Sequence, residues 1–327
     1  AWPLLCHFLA TVLLQHLKQH LPSIVAEITQ LAVGTERRLA ELGPPMPADD
    51  AGKTALIQTI VASFCRDFVG ALVEKRADIK TGRRIKDSFL TLQTQLRAVS
   101  PFDAENYSNT YLLEAARDCE GNHLSMPIPP IELLEHMLQH PERRPIRLLL
   151  QPCLACLHTV YEELRAMSCK LLKKASMSRF PTLQARIRDE SDGLLLRARG
   201  ACEMKLQELV DMEEAYISTD DAVFLRELAD AVKKLVNGVD ATLLRSILSS
   251  YFATVVRTIS NAAPKAVMLF MVKATQEQVY ACLFERVGRQ TPAGLLEEPA
   301  EMEAKRRADE EVLGKLRAAR GTLETLA

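Results

Sequence analysis

The chain has 327 residues, and its 41 lysines and arginines balance 42 aspartates and glutamates to give a formal net charge of −1. That balance argues against a nucleic-acid-binding protein that depends on overall basicity. Hydrophobic residues make up 48% and charged residues 25%, which is typical of a folded protein. With only 13 glycines and 5% aromatic residues, the composition predicts helix nearly throughout and disfavours an α/β enzyme rich in glycine turns.

The eight cysteines are spread along the chain from Cys6 to Cys282. Because they show no clustered spacing, they favour a reducing compartment, the cytoplasm, over a secreted fold held by disulfides. No uninterrupted apolar run reaches the roughly 18 residues that would span a bilayer. The apolar first 14 residues lack the basic start and the cleavage site of a signal peptide.

The first predicted helix covers about forty residues and ends at Leu42-Gly43. Apolar residues recur along it at spacings of three and four, as in a bundle helix or coiled coil: Leu14, Leu17, Leu21, Ile24, Ile28 and Leu31. Pro22 predicts a kink rather than an end. Asp49 or Asp50 is placed to cap a second helix, which carries Ile57, Phe64 and Phe68.

The region 76–145 is less regular. Lys80 to Arg84 is interpreted as a basic loop, followed by amphipathic segments over 86–98 and 103–119 and by loops at 121–130 and 141–145. Long helices are then predicted over 146–176, 181–216 and 222–260, with a bend at 261–264 and a continuation to about 287. A last charged helix follows Gly294.

Helices of about 30–40 residues are about 45–60 Å long. Four of them predict an all-α, elongated antiparallel four-helix bundle with an additional C-terminal helix.

Several short motifs resemble catalytic or ligand-binding sites but are better explained as structure. Gly52-Lys53-Thr54 lacks the earlier glycine of a P-loop, because Pro47 stands in that place, and it lacks a preceding strand. Cys153 and Cys156 fall on the apolar side of a helix, so we expect them to pack in the core rather than bind metal.

Two histidine pairs, His16/His20 and His136/His140, have the spacing of metal ligands on one helix face. Neither has a third ligand nearby, so solvated helix faces are the simpler interpretation. The chain therefore shows no catalytic centre, and we expect it to hold no metal or cofactor.

Six motifs are spread over nearly the whole chain: LLQHLKQHLPSI (13–24), TGRRI with Phe89 (81–89), QPCLACLHTVYEEL (151–164), RFPTLQARI (179–187), LVDMEEAYIST (209–219) and SSYFATVVRTISNAAPKAVMLFMV (249–272). In their sequence and their order they resemble the stalk of the dynamin superfamily. The last of these is similar to the family's GTPase effector segment, with a P-K-x-x-M-x-x-M core from Pro264 to Met271.

The resemblance implies a domain organisation. Residues 1–220 would form the middle-domain part of the stalk, with 1–14 in the bundle signalling element. Residues 221–290 would be the effector helix, and 291–327 the C-terminal bundle signalling helix, which we expect to pair with 1–14. The GTPase head is absent from this sequence, so GTP and magnesium are expected only in a head domain of the parent protein.

The resemblance also implies what the chain binds. Its partner would be itself, first as a homodimer and then as a higher helical oligomer, on cytoplasmic membrane surfaces. Membrane lipids would be reached indirectly or through an insert that this sequence lacks between Thr219 and Val232. No nucleic-acid partner is expected.

Two groups of assembly residues follow from the family's loops. One is the basic loop of Gly82, Arg83 and Arg84. The other is the loop of Gly121, Asn122 and His123, in which a histidine replaces the family's arginine. The two loops are expected to lie near each other.

A dimer patch is predicted in the effector segment. The seven residues 266–272 are all apolar and surround the helix, whereas a bundle helix buries a stripe of only about 100°. Some of them must face another molecule or be buried by further helices. Leu269 and Val272 are predicted to lie on the side that a partner stalk reaches, a place where the family also dimerises.

Two other functions are compatible with the sequence. One is a non-enzymatic helical adaptor that binds another protein. The other is an antiviral member of the same superfamily that assembles on nucleocapsids. The leading interpretation is a self-assembling stalk that remodels membranes and drives fission of an organelle or vesicle. Its oligomeric state would separate it from an adaptor, and its target would separate it from the antiviral protein.

Overall fold

The fold is all-α, as predicted. The computed structural model describes residues 2–43, 46–47, 49–73, 80–120, 130–235, 240–289 and 294–326, and no strand occurs in these ranges. The helices are α1 (Trp2–Glu41), α2 (Asp50–Val73), α3 (Thr81–Ala98), α4 (Asn109–Glu120), α5 (Pro130–Leu138), α6 (Leu150–Leu172), α7 (Ala175–Ser178), α8 (Pro181–Ala215), α9 (Ala222–Leu235), α10 (Ala241–Ala266), α11 (Ala274–Leu283) and α12 (Ala300–Leu326).

Three short segments extend these helices. A 3₁₀ turn, Pro145–Leu149, leads into α6. The π-helical segment Val267–Lys273 joins α10 to α11, and a second one, Phe284–Gly288, extends α11, so that 241–288 forms one continuous helix.

The chain divides into two compact units. The first consists of Ala1–Phe64, Lys170–Asp189 and Leu283–Ala327. In it α12 packs against α1. Its core contains Ile57, Val61, Phe64, Leu171, Leu172, Phe180, Leu183, Ile187, Leu283 and Val287.

The second unit consists of Cys65–Cys169 and Glu190–Cys282. Its central element is α10, which packs against α3, α4 and α9. Its core contains Leu92, Leu96, Leu112, Leu157, Val160, Leu164, Leu195, Leu206, Tyr251 and Val255.

Two predicted boundaries in the second unit are wrong. The basic segment at 80–84 is not a loop, because α3 begins at Thr81 and includes Gly82, Arg83 and Arg84. Thr81 and Ile85 start a buried stripe that continues along the helix to Leu96, and this burial extends the helix through the glycine.

The predicted helix 222–260 is two helices. Asp240 caps α10, and its side chain accepts a hydrogen bond from the Thr242 backbone N–H at 2.9 Å. At 261–264, where a bend was predicted, the helix continues through Pro264 into the π-helical segment.

Two helices are long and apolar enough to meet a length-and-hydropathy test for membrane spans. They are Asp50–Val73, with a mean hydropathy of 1.5, and Ala241–Gly288, with 1.2. The buried core helix of a bundle has the same composition, so this test alone does not identify a span.

Candidate self-assembly surface

The apolar segment predicted to hold the dimer patch is the π-helical turn Val267–Lys273. It is closed by the Ala274 backbone N–H, which donates to the carbonyls of Leu269 and Met271. The Thr275 hydroxyl also donates to the Met271 carbonyl at 2.6 Å. Wider turns of this kind recur at functional sites, because they shift the helix register locally.

This wider turn sorts the apolar side chains into two sets. Val267, Met271 and Val272 are buried, with at most 4% of their surface exposed. Spacings of four and five bring these three side chains to one side of a helix with i→i+5 bonding. Met268 and Leu269 lie on the other side and are 42% and 51% exposed.

Leu269 is therefore accessible to a partner, as predicted, but Val272 is not. The prediction that Val272 lies on the exposed side is wrong, because it assumed 3.6 residues per turn across a segment where the turn is wider. Val272 belongs to the core of the second unit.

Exposed residues continue along the same side of the helix. They form what we call the 268–280 stripe: Met268, Leu269, Lys273, Glu277 and Tyr280. Tyr280 is 51% exposed, and the Lys273 ammonium lies 3.9 Å from the Glu277 carboxylate. The stripe thus combines three large apolar side chains with one charge of each sign.

Helix α8 borders this segment. The Cys202 thiol lies 3.8 Å from the Ala266 carbonyl oxygen, and the Lys205 ammonium lies 6.0 Å from the centre of the Phe270 ring. Phe270 is consequently only partly exposed, which leaves Met268 and Leu269 as the accessible apolar side chains of the turn.

The two arginines at the start of α3 differ in their surroundings. The Arg84 guanidinium contacts both carboxylate oxygens of Glu163 on α6, at 2.9 and 3.1 Å. The Arg83 side chain is 81% exposed, and its nearest carboxylate is that of Asp87 at 3.9 Å. Of the two, Arg83 is the one that a partner can reach, whereas Arg84 holds α3 against α6. Gly82 has open space where a Cβ would stand.

The second predicted assembly loop, Gly121, Asn122 and His123, lies outside the described residues. The expectation that it lies near Arg83 therefore stays a prediction.

The C-terminal helix pairs with α1 in antiparallel fashion. Arg38 contacts Asp309 at 3.1 Å, and further along α12 Arg317 contacts Glu36 at 2.8 Å. The side chains of 1–14, which were predicted to pair with this helix, lie outside the described ones.

A buried ionic cluster that the sequence did not predict lies beside this pairing. Arg179 and Arg306 both contact one oxygen of Glu298, the second at 3.5 Å. Arg306 also donates to the carbonyls of Leu42 and Gly43, at 2.7 and 2.8 Å. Side-chain exposure of the three charged residues is 10% or less. Burial lowers the pKa of Arg179, against the effect of Glu298.

The cysteine pair and the glycine motif make contacts within the chain. Cys153 and Cys156 are buried, and burial raises the pKa of Cys153 to about 12. Gly52 lies in the first turn of α2, where its N–H donates to the Asp49 carboxylate at 3.0 Å. In the described part of the chain, no group of three or more His, Cys, Asp and Glu side chains is placed to hold a metal ion.

Comparison with known protein families gives two matches. The dynamin central region matches residues 1–233, and the dynamin GTPase effector domain matches residues 237–326.

Individual relatives are distant. Dynamin-related protein DNM1 of Saccharomyces cerevisiae is 27% identical over 253 residues, which cover 75% of this chain and 32% of that protein. Dynamin-related protein 3A of Arabidopsis thaliana is 26% identical over 231 residues, covering 68% and 27%. Dynamin-1-like protein of Bos taurus is 26% identical over 291 residues, covering 87% and 37%. The chain thus spans about a third of the length of the curated relatives it matches.

Proposed function

The chain belongs to the dynamin superfamily, and we propose that it is the self-assembling stalk of a dynamin-like large GTPase that constricts membranes. The observation that carries the proposal is the 268–280 stripe. Apolar side chains exposed together on one helix face are typical of association sites, and they lie within the part of the chain that matches the effector domain.

The stripe is suited to a two-fold contact. In such a contact the same patch is used on both chains, and the two helices run in opposite directions when the two-fold axis is perpendicular to them. Lys273 of one chain can then meet Glu277 of the other, while Met268 and Leu269 of each chain lie near Tyr280 of its partner. The stripe is therefore complementary to itself in charge as well as in hydrophobicity.

The experiment is a concentration series in sedimentation equilibrium. Leu269→Asp introduces a charge into the proposed contact without touching the core, so we expect a folded monomer at concentrations where the wild type is dimeric. Leu90→Asp is the matched control, because Leu90 is similarly exposed, at 53%, on a different helix, α3. If Leu269→Asp dimerises as tightly as the control, the dimer forms elsewhere.

Assembly beyond the dimer is proposed to use Arg83. Arg83→Glu reverses an exposed charge. It is expected to abolish oligomers larger than the dimer and to leave the dissociation constant of the dimer unchanged. Arg84→Glu is a poorer test, because it also breaks the contact with Glu163 inside the chain. Equal oligomer formation by wild type and Arg83→Glu would exclude this role.

Membrane contact is proposed to involve α9. One face of this helix packs on α10 through Phe224 and Ala231. A second face exposes Leu225 (46%) and Val232 (37%), and lysines follow at the end of the helix. A helix with an exposed apolar stripe bordered by cations is suited to an anionic membrane surface.

Vesicle co-sedimentation tests this contact. Vesicles of phosphatidylcholine with phosphatidylserine are expected to bind the wild type, and binding should fall in Leu225→Asp but not in Leu148→Asp, a control side chain that is 50% exposed. Equal binding by all three proteins would exclude α9.

In the proposed mechanism this chain contributes no chemistry of its own. The parent protein would hydrolyse GTP, with magnesium, in a head domain. The stalk would transmit the force of that reaction along its helices to constrict a membrane from its cytoplasmic side.

A further inference from the structure

A groove in the second unit has the features of a ligand site and lies apart from the residues proposed for assembly. It runs between the end of α3, the turn 99–102 and the middle of α10, and its volume is about 510 Å³. This is within the range of about 300–1,000 Å³ that is typical of ligand pockets.

The floor of the groove is apolar. Phe102, Phe252 and Val256 line it and are each at least nine-tenths buried. The rings of Phe102 and Phe252 meet edge to face at 5.8 Å between centroids. This pairing fixes the floor, which can receive one bulky apolar side chain.

Polar groups border this floor, and one of them is buried without a hydrogen-bond partner in the described part of the chain. Ser260 lines the groove and is 8% exposed, and its buried hydroxyl has no hydrogen-bond partner among the described residues. A buried hydroxyl of this kind costs free energy until something bonds to it. The side-chain amides of Gln93 and Asn261 line the same groove.

The charge of the groove is positive. Arg97 and Arg257 line it, and no aspartate or glutamate does. Arg257 contacts the Asp221 carboxylate at 2.7 Å, so Arg97 is the cation that a ligand can engage fully. Neither α10 nor the part of α3 after Asp87 contains an acidic residue.

We propose that this groove binds a linear peptide segment of another protein, in which a carboxylate side chain lies next to a bulky apolar one. The apolar side chain would lie on the Phe102–Phe252 floor, and the carboxylate would contact Arg97. The peptide backbone would form hydrogen bonds with the Ser260 hydroxyl and with the side-chain amides of Gln93 and Asn261. Each amide offers an NH₂ donor and a carbonyl acceptor. An acyl chain would leave these polar groups unsatisfied, so the lining favours a peptide over a lipid.

The test selects displayed random heptapeptides on the whole chain and measures the affinity of the enriched peptides by fluorescence anisotropy. We expect the enriched peptides to carry Asp or Glu beside Phe, Leu or Trp. Arg97→Glu should weaken them at least tenfold, whereas Lys86→Glu, a charge reversal elsewhere on α3, should not.

A second variant closes the groove without entering the core. Ala253 is exposed at its edge, so Ala253→Trp should abolish peptide binding. Ala155→Trp, on an exposed position of α6, is the control and should bind normally. Circular dichroism checks that all variants are folded. Enrichment of peptides without acidic residues, binding that survives Ala253→Trp, or no enrichment of any peptide would each overturn the proposal.

Discussion

Removal of the Glu298 carboxylate should destabilise the first unit more than removal of any exposed carboxylate in it. In Glu298→Ala, Arg179 and Arg306 remain buried near each other without their shared counter-ion. Arg306 keeps its hydrogen bonds to the Leu42 and Gly43 carbonyls. Arg179 loses its buried carboxylate contact, and burial already lowers its pKa.

The magnitude follows from the burial. Breaking a buried pair by removing one partner typically costs about 3–5 kcal/mol, because a charge is left uncompensated. Hydrogen bonds retained by Arg306 place the expected loss near the lower end, at about 3 kcal/mol. With a urea dependence of about 2 kcal/mol per M, the midpoint should fall by about 1.5 M.

The assay is urea unfolding followed by circular dichroism, with hydrogen exchange used to locate the loss to α1 and α12. Glu301→Ala is the matched control, because Glu301 is 81% exposed and pairs with Lys305 on its own helix; its effect should stay within about 0.5 kcal/mol. Equal midpoints for the two variants would refute the reasoning that the buried cluster holds the α1–α12 pair in place.

Three further predictions concern single positions. Gly43 has φ of +82°, so Gly43→Ala should lower the free energy of unfolding by about 1–2 kcal/mol in the same urea assay. Hydrogen bonds from the Thr242 hydroxyl and N–H hold the pKa of Asp240 below its usual value. The ionised carboxylate therefore stabilises the fold above a pH of about 4, and this contribution is lost as the pH falls below that value. An acid titration of the free energy of unfolding should lack this loss in Asp240→Asn. Cys153, whose pKa is about 12, should resist iodoacetamide at pH 8 until the protein unfolds, as mass spectrometry of the labelled peptides would show.

Periodicity predicted the long helices because a helix that packs on one side buries residues spaced three and four apart. The predicted helix 181–216 agrees with α8 to within one residue. The two boundary errors have local causes. Gly82 and the neighbouring cations suggested a loop, but burial of Thr81 and Ile85 outweighs the low helix propensity of one glycine. At Asp240, a side-chain cap begins a new helix within a pattern that reads as continuous.

The exposed apolar patch was predictable in place but not in detail. The excess of apolar residues over 266–272 indicated an exposed patch, and Leu269 is exposed. Val272 was misplaced because an i→i+5 turn leaves no mark in a pattern analysed at 3.6 residues per turn. The buried ionic cluster could not be predicted from local sequence patterns. Arg179 and Glu298 are 119 positions apart, and they meet because the chain packs them together.

Photo-cross-linking from position 269 tests the self-assembly proposal most directly. A benzophenone amino acid replaces Leu269, and equal amounts of unlabelled and ¹⁵N-labelled chains are mixed so that mass spectrometry identifies cross-links between molecules. A two-fold contact through the 268–280 stripe predicts mixed-isotope cross-links from residue 269 to residues 268–280 of the other chain. Mixed-isotope cross-links confined to other helices, or none at concentrations where the chain is dimeric, would contradict it.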